Sequence, residues 1–372
     1  MMNLLPPDHR ARVEHVASDF LSKPDDIAKA LKDKVSSVDV VFFYSYLQPK
    51  PEPGKGAWSN AQQLCDVNSA LLDNFLKALP IANLKPSRVV LQTGAKNYGV
   101  HLGRARAPYV ESDPRVTIEP NFYYPQEDIL WKYCEDNGTG WNVIMPAWII
   151  GAVNNAAMNA LHPLAVYAAV QAQKGEPLHY PGDIEAWNGW QEHSTAMLTG
   201  YLTEWAALEK HTKNHKFNAS DGCPIPINRL WPELARWYGV KETGKPEPDE
   251  SKFTVVDPGP DAKTPLGFGP PTKAKFSFTL SEWAAKPENA AAWKEIMDRE
   301  KLTHNPFDDV EAHFTFGDAA AWGLALCLST AKSRYFGFTG YVDTLESLHF
   351  AYGELNKLGM LPPLKAEAQP LI

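Results

Sequence analysis

The sequence predicts an α/β fold, a doubly wound parallel sheet followed by a mainly helical region, because strand and helix patterns alternate through its first half. Apolar, largely β-branched runs, typical of strands buried on both faces, occur at 38–43, 88–92 and 141–145. Helical periodicity occurs before or between these runs, at 24–35, 60–79 and 122–134. Strand and helix in alternation place helices on both faces of a parallel sheet.

The remaining segments extend this prediction toward both ends of the chain. Residues 12–16 follow an alternating polar and apolar pattern, which predicts one further strand. A short strand at 216–219 is expected to return to the sheet, and segment 241–275, rich in proline, glycine and charge, is expected to be a linker. Helices are predicted at 155–173, 195–208, from 231 onward, 281–297, 316–329 and 344–358. The second half therefore predicts a helical cap over the sheet.

Composition and charge exclude several classes of function. The 372 residues carry 36 Lys and Arg against 44 Asp and Glu, a net charge of −8, with no basic stripe for nucleic-acid phosphates. The cysteines form no C-x-x-C pair, so we expect reduced thiols and no metal site at Cys65, Cys134, Cys223 and Cys327. No apolar run approaches the roughly 18 residues of a membrane span, and the first residues have no signal-peptide core. We therefore predict a cytoplasmic protein without nucleic-acid or membrane partners.

Two polar segments lie where parallel sheets place their sites. Residues 91–99 read LQTGAKNYG and follow a predicted strand, so that Lys96 lies beyond the strand's carboxyl end. Residues 121–128 read NFYYPQED and open the next predicted helix, which carries Tyr123. These segments resemble the motifs T-G-x-K-H-Y and N-F-Y-Y-x-x-E-D of the progesterone 5β-reductase/iridoid synthase-like (PRISE) family of atypical extended short-chain dehydrogenases/reductases.

The resemblance extends over almost the whole chain. Residues 145–151 (MPAWIIG) resemble the family's R-P-x-x-I-x-G, and residues 217–222 and 336–338 also fit the family pattern. It implies a Rossmann-like sheet with a mainly helical substrate-binding cap, divided into a partial NADP-binding domain at 1–155 and a substrate-binding region at 156–372. It also implies an NADPH-dependent oxidoreductase of secondary metabolism, which reduces the activated C=C of an enone or enal, or a related carbonyl substrate.

By this resemblance, Lys96 and Tyr123 are the catalytic pair. NADPH delivers hydride to the β-carbon of the enone, and the tyrosine hydroxyl polarises the carbonyl or stabilises the enolate. Tyr124 is the alternative to Tyr123, because adjacent helical residues point about 100° apart and only one of them faces the site. Other short-chain dehydrogenases place Tyr and Lys four residues apart on one helix. The match at Tyr46–Lys50 has that spacing, but Pro49 is incompatible with a regular helix interior.

The resemblance further assigns contacts to the cofactor and the substrate. Asp19 and Phe20 are expected near the adenine, although Asp19 also suits a turn or helix cap. The other cofactor contacts are expected from Ser45, Tyr46, Gln92, Tyr123, Ile149, Ala156, Ala157 and Met158. Substrate contacts are expected from Tyr46, Phe338 and Tyr341, the last two of which suit core packing equally well. The expected partner is a small-molecule substrate, and no metal is implied.

The chain departs from the family pattern at several positions. Asn97 replaces a histidine, Met145 replaces an arginine, and residues 100–102 (VHL) replace a Gly-Pro pair. The family's first strand and its G-x-x-G-x-x-G loop have no counterpart, so we expect a sheet that lacks its first βαβ unit, as in an N-terminally truncated copy. Such a sheet would expose apolar strand edges and bind NADPH weakly.

Two alternatives to a reductase stay open. One is a sugar-nucleotide epimerase-type member of the extended group, which the arrangement of Lys96 and Tyr123 disfavours because those members keep Tyr and Lys on one helix. The other is a non-catalytic remnant that keeps the fold but no longer binds the dinucleotide. A homodimer is compatible with the sequence, which decides neither the assembly nor the identity of the substrate.

Overall fold

A computed structural model describes residues 5–49, 60–154, 158–322 and 325–371 of the chain. Its strands are β1 (Val40–Phe43), β2 (Arg88–Gln92), β3 (Gly140–Pro146), β4 (Trp148–Ile150), β5 (Trp190–Gln191), β6 (His193–Thr195), β7 (His215–Ala219), β8 (Ile225–Pro226), β9 (Thr254–Val256) and β10 (Ala274–Phe276). Its helices are α1 (Pro7–Arg10), α2 (Pro24–Lys32), α3 (Ala61–Ile81), α4 (Tyr123–Asn137), α5 (His162–Lys174), α6 (Ile184–Asn188), α7 (Ala196–Leu208), α8 (Ile227–Tyr238), α9 (Leu280–Ala284), α10 (Pro287–Glu300), α11 (Val310–Trp322), α12 (Ala331–Tyr335) and α13 (Thr344–Lys357).

Four of these strands form one parallel sheet in the order β1-β2-β3-β7. The register places Val41 opposite Val89 and Val89 opposite Trp141, and Ile144 of β3 lies opposite Phe217 of β7. The interior strands β2 and β3 are buried on both faces, and this is why most of their residues are apolar.

Helices cover both faces of this sheet. On one face, α2, α3 and α4 form a core with the strands, in which Leu72 and Leu130 are buried together with Val89. On the other face, Leu202 of α7 is buried with Phe217 of β7. The predicted doubly wound α/β fold is therefore confirmed.

β1 lies at one edge of the described sheet. It pairs with β2, and no described strand pairs with its other side. Residues 12–16, predicted as a strand, form neither strand nor helix, and Val13 is 45% exposed. A strand must pair its backbone N–H and C=O groups, so an alternating pattern without a partner strand does not form one, and this prediction was wrong. Apolar side chains stay exposed at this edge, with Phe42 at 42% and Tyr44 at 52% exposure.

The second half of the chain has a helical core of its own, built around α5. Nearly all of this helix is buried, from His162 to Gln171. Trp231 of α8, Trp293 of α10 and Phe314 of α11 are fully buried in the same core. Of the described helices, none combines the length and the apolar character that crossing a bilayer requires.

The start of α5 differs from the predicted helix at 155–173. The helix begins at His162, and residues 155–157, which also hold the predicted domain boundary, lie outside the described residues. The Asn159 side chain accepts the N–H groups of Leu161 and His162 at 3.2 and 3.1 Å. This capping interaction satisfies backbone donors at the helix start and sets its boundary.

Two other predicted helices are shorter than their periodicity indicated. The pattern at 281–297 is divided into α9 and α10, because Pro287 opens a new helix after a break. The pattern at 316–329 falls partly in α11, which ends at Trp322, and Leu326 instead donates its N–H to the Trp190 carbonyl at 2.9 Å. In both segments the helical spacing of apolar residues continues past the point where the backbone leaves its helical hydrogen-bond pattern.

Segment 241–275, predicted as a linker, contains the antiparallel ribbon of β9 and β10, in which Val255 lies opposite Lys275. The ribbon is attached to the second half of the chain, because Phe276 forms a bridge with Gly182 and Ser277 donates its N–H to the Pro181 carbonyl at 2.8 Å. The segment is therefore a folded element rather than a spacer. Its pairing joins residues distant in sequence, which proline and glycine content does not reveal.

Two buried histidines make the stability of this fold depend on pH. Burial lowers the pKa of His162 to about 3 and the pKa of His193 to about 4, from the ordinary 6.5. Below pH 6.5 the unfolded chain therefore binds more protons than the folded protein. Their contribution is fully present above that pH and is lost as the pH falls toward their folded-state pKa values.

We expect the free energy of unfolding to fall below that pH by up to about 1.4 kcal/mol per pH unit for each buried histidine. His193→Gln, whose side chain does not titrate, should reduce this slope by the share of one histidine. Urea denaturation between about pH 7 and pH 5 measures the slope. The exposed His9, replaced by Gln, is the matched control and should keep the full slope. An unchanged slope in His193→Gln would show that His193 does not contribute.

Candidate active site

A cavity of about 1170 Å³ opens at the carboxyl edge of the sheet, where β1, β2 and β3 end. Residues that directly follow these strands line one wall, and the helical region and the β9–β10 ribbon line the other. Representative lining residues are Tyr46, Gln92, Ala147, Val256, Phe268 and Phe316. Open parallel sheets bind their ligands at this edge, so the cavity is the natural place for chemistry.

Lys96 lies in this cavity on a single helical turn, Ala95–Tyr98, immediately after β2. Asn121 donates its side-chain N–H to the Lys96 carbonyl at 2.9 Å and fixes the backbone of the turn. Burial lowers the pKa of the Lys96 amine to about 7, and the negative charge of Glu119 opposes this shift. Near neutral pH the amine is therefore close to its titration midpoint.

Tyr123 lies at the first residue of α4, and its backbone N–H donates to the Asn121 side chain at 3.1 Å. Its hydroxyl lies against Gly94: a Cβ atom at Gly94 would come within 3.0 Å of that oxygen and 3.4 Å of the Pro146 carbonyl. Burial, with a smaller contribution from Tyr46, raises the pKa of the Tyr123 phenol. The phenol is therefore protonated at neutral pH and available as a hydrogen-bond donor.

Tyr46 lies beside this pair, with its ring 5.6 Å from the ring of Phe122. Its hydroxyl donates to the Gln48 side chain at 2.5 Å, and Leu47 exchanges hydrogen bonds with Asn68 of α3 at 2.9 and 3.0 Å. Residues 44–49 form neither helix nor strand. Lys50, the other member of the Tyr46–Lys50 match, lies outside the described residues.

Tyr124 has a structural role that separates it from Tyr123. Its hydroxyl donates to the Asn97 carbonyl at 2.7 Å and accepts the Val116 N–H at 2.9 Å. Four residues after Tyr123, where other short-chain dehydrogenases carry a lysine, α4 carries Glu127, a fully buried carboxylate paired with Arg115 and Lys216. The helix of Tyr123 therefore offers no lysine in that register.

Two departures from the family pattern contact each other. Asn97, in place of histidine, and Met145, in place of arginine, are both buried, and the Asn97 amide lies 3.3 Å from the Met145 sulfur. Next to them, Tyr98 donates its hydroxyl to the Asn218 side chain at 2.7 Å. Because these two side chains contact each other and neither carries a charge, the two replacements leave no unpaired charge in the core.

The structure brings several other predicted site residues to the same cavity. Ser45, Tyr46, Gln92, Ile149 and Met158 line it together with Lys96 and Tyr123. Ala156 and Ala157 lie outside the described residues. The predicted contacts near the nicotinamide end of a cofactor are thus adjacent in space, although their assignment stays a prediction.

Asp19 and Phe20 do not line this cavity. Asp19 accepts the N–H of Leu21 at 2.9 Å, which is the turn role that the sequence left open. The ring of Phe20 packs against Phe75, with ring centroids 4.9 Å apart. Their positions follow from local capping and core packing, and they contribute nothing to the wall around Lys96.

Phe338 and Tyr341 are likewise not brought to the cavity. The ring of Phe338 packs 5.4 Å from Trp205, against the core between α7 and the sheet. Tyr341 is 55% exposed and lies beside Gly222. Core packing, the alternative that the sequence left open, describes the contacts of Phe338, and substrate contact by either residue stays a prediction.

The cavity wall that faces the sheet was not predicted from the sequence. Phe268 and Lys273, from the segment predicted as a linker, line the cavity, as do His101 and Glu185. One signal was present: Val255, Val256 and Phe268 are apolar residues in a segment otherwise rich in proline, glycine and charge. Which cavity such residues face depends on tertiary contacts that no local pattern encodes.

The sheet order, the helices on both faces and the cavity at the strand ends define a Rossmann-fold protein. A profile described as the PRISE-like Rossmann-fold domain matches residues 6–257, so the chain belongs to this family, as its motifs predicted.

Curated relatives agree with this assignment. An uncharacterised protein of Schizosaccharomyces pombe is 29% identical over 96% of this chain and 90% of its own. An (S)-8-oxocitronellyl enol synthase of Camptotheca acuminata is 31% identical over 78% of this chain and 70% of its own. A 3-oxo-Delta(4,5)-steroid 5-beta-reductase of Arabidopsis thaliana is 30% identical over 78% of this chain and 69% of its own.

Among solved structures, the Bordetella bronchiseptica enzyme WbmG in complex with NAD and UDP superimposes with a TM-score of 0.54. It is 12% identical and covers 93% of this chain and 81% of its own. At this identity the likeness shows a shared fold and nothing about the reaction.

The contacts of the two adjacent tyrosines predict different effects on stability. Tyr124→Phe should lower the free energy of unfolding by about 1–3 kcal/mol, because it leaves the Asn97 carbonyl and the Val116 N–H without their buried partner. Tyr123→Phe removes a hydroxyl at the cavity without depriving these two backbone groups of their partner, and it should therefore change stability much less. Chemical denaturation of both variants measures the difference, and equal losses would contradict the separate roles assigned here.

Proposed function

We propose that this protein reduces the activated C=C of a small α,β-unsaturated carbonyl compound, or a related carbonyl substrate, with NADPH as the hydride donor. The observation that carries the proposal is the presence of Lys96 and Tyr123 in one cavity at the carboxyl edge of the sheet. Relatives named as an enol synthase and a steroid 5-beta-reductase support a reductase. Membership of the PRISE-like Rossmann-fold family supports a nicotinamide cofactor.

The cavity fits the nicotinamide half of a dinucleotide. Gly94 has no side chain, so a flat ring can approach the strand end beside the Tyr123 hydroxyl, where a Cβ atom would be in close contact. Gln92 offers an amide for a ribose, and Ile149, 47% exposed, offers an apolar surface for a ring. When bound, NADPH supplies the hydride. Gln92, Gly94, Ile149 and Met158 are the residues we expect to hold that half.

The residues of the chain then act on the carbonyl group. Tyr123, protonated at neutral pH, donates a hydrogen bond to the carbonyl oxygen, on which negative charge develops as the enolate forms. A charged Lys96 in the same cavity stabilises that developing charge electrostatically. The apolar side chains of Trp148, Phe268 and Phe316 line the cavity and exclude water, which strengthens both interactions.

One alternative is supported by a specific observation. The printed sequence contains no G-x-x-G-x-x-G pattern, and backbone N–H groups of such a loop are the usual holders of the dinucleotide phosphates. A protein that keeps the fold without holding the dinucleotide would be non-catalytic. Direct measurement of NADPH binding separates that alternative from the reductase.

Replacement of the two candidate catalytic residues tests the proposed chemistry. Tyr123→Phe should lower the turnover of a model enone by about 10²–10⁴-fold at saturating NADPH, the range typical of a lost acid–base group. Lys96→Ala should lower turnover sharply because the charge near the enolate is removed. Tyr201→Phe, which changes a tyrosine 58% exposed on α7, is the matched control and should not affect turnover. Unchanged turnover in both active-site variants would remove them from the mechanism.

The 372-residue chain should bind NADPH weakly in a calorimetric titration, because the sequence has no G-x-x-G-x-x-G loop for the phosphates and two of the cavity's cations are already paired. Arg104 pairs with Glu185 at 3.0 Å and Lys273 pairs with Asp257 at 2.7 Å, so phosphates would have to displace carboxylates. Tight binding by the 372 residues alone would show that other residues hold the phosphates. Tighter binding of NADH than of NADPH would contradict the choice of cofactor.

A further inference from the structure

A histidine in the cavity of Lys96 and the glutamate that it contacts have no role in the chemistry described above. The Nε2 atom of His101 lies 2.7 Å from the Oε1 atom of Glu119. Their side chains are 25% and 38% exposed, so both are partly withdrawn from solvent. His101 lines the same cavity as Lys96 and Tyr123. In the sequence it appeared only as part of the departure at residues 100–102.

The backbone brings this pair to the catalytic residues. Gly99 ends the turn that carries Lys96 and has a φ of +72°, in the left-handed region that favours glycine. A Cβ atom there would also lie 2.9 Å from a methyl carbon of Val116, so the two segments are in close contact. They are joined a second time, because Asn121, two residues after Glu119, donates to the Lys96 carbonyl at 2.9 Å.

The charges of the three groups are coupled. Burial lowers the pKa of Lys96 to about 7, and the Glu119 carboxylate raises it against that effect. Burial and then the Lys96 charge lower the pKa of His101, while Glu119 opposes both effects. A neutral His101 can donate its Nε2–H to Glu119, which orients the carboxylate without adding a second positive charge to the cavity.

We propose that Glu119, oriented by His101, is a positioning residue that keeps the Lys96 ammonium charged in the cavity of Tyr123. The inference deepens the reductase proposed above and rests on it for its functional meaning. Without a carboxylate at this place, the buried amine would lose its proton at lower pH, and the electrostatic stabilisation of the enolate would be lost with it.

Three ion pairs neutralise other charged groups at the cavity. These ion pairs are Arg104–Glu185 at 3.0 Å, Lys273–Asp257 at 2.7 Å and Lys275–Glu250 at 2.9 Å. Asp183 accepts the Ala186 N–H at 2.9 Å and caps α6. The exposed Lys263 belongs to the segment between β9 and β10. The charge that acts on the pKa of Lys96 against its burial is that of Glu119.

Tyrosine phenols at the cavity and one cysteine thiol are further titratable groups in this region. The phenols of Tyr44, Tyr46 and Tyr123 line the cavity, and burial raises the pKa of Tyr44 and Tyr123. On α3, burial and the charges of Asp66 and Glu119 raise the pKa of the Cys65 thiol. Asp66 acts on the Cys65 thiol, whereas Glu119 acts on both Cys65 and Lys96.

The direct test is the titration of Lys96 in the full chain, followed by NMR of ¹³C-labelled lysine and assigned by the signal that Lys96→Arg removes. We expect a titration midpoint near pH 7 in the natural protein. Glu119→Gln should lower the midpoint by roughly one pH unit or more, as loss of a nearby opposite charge does. Glu119→Asp keeps the carboxylate, so its Lys96 midpoint should lie close to that of the natural protein. Glu185→Gln, which removes a cavity carboxylate paired elsewhere, is the matched control and should leave the midpoint unchanged.

Turnover gives the second readout. In the natural protein, enone reduction should decline as the pH rises through the Lys96 midpoint, and in Glu119→Gln this decline should move to lower pH by the same amount. A Lys96 midpoint that is unchanged in Glu119→Gln, in a variant shown to be folded by its denaturation curve, would overturn the inference. If the midpoint shifts but the natural protein reduces no enone, the proposed function fails while the role of Glu119 toward Lys96 is supported.

Discussion

The side chain of Asn121 is the contact on which the proposed site depends. Its N–H donates to the Lys96 carbonyl at 2.9 Å, and its oxygen accepts the Tyr123 N–H at 3.1 Å. One amide therefore joins the turn after β2 to the start of α4: it adds a second donor to the Lys96 carbonyl, which also accepts the Gly99 N–H at 3.0 Å, and it satisfies a backbone N–H at the start of the helix. Lys96 and Tyr123, distant in sequence, are held by the same residue, so their relative positions do not depend on flexible side chains alone.

The strands around this contact supply the rest of the geometry. Because β1, β2 and β3 are parallel, their carboxyl ends meet at one edge, and Tyr46, Lys96 and Ala147 follow them into one cavity. The same burial that stabilises the sheet withdraws Lys96 from water and lowers the pKa of its amine to about 7. Packing and chemistry are thus linked: a residue that alters the burial of this edge also alters the charge available in the cavity.

Much of the fold follows from local sequence, and the exceptions have physical reasons. The runs that became β2 and β3 were recognisable because burial on both faces leaves them mostly apolar, and the buried polar residues Arg88 and Asn142 hydrogen-bond to each other at 2.6 Å. The strand predicted at residues 12–16 did not form, because an alternating polar and apolar pattern gives a strand only where a neighbouring strand can pair with it. The β9–β10 ribbon was missed because its pairing depends on residues about 20 positions apart in a segment with turn-like composition. In the site, Lys96 and Tyr123 were predicted from two sequence motifs. The relation between His101 and Glu119 could not be predicted in this way, because it depends on the contact between two segments of the fold.

If the cavity around Lys96 and Tyr123 performs conjugate reduction, the hydride of NADPH is transferred to the β-carbon of the enone. This transfer can be followed with saturating NADPH deuterated at the C4 position that donates hydride, a model enone, and NMR of the product. We expect one deuterium at the former β-carbon of the enone, with incorporation abolished or strongly reduced in Tyr123→Phe. No incorporation by the natural protein, or equal incorporation in that variant, would contradict this mechanism.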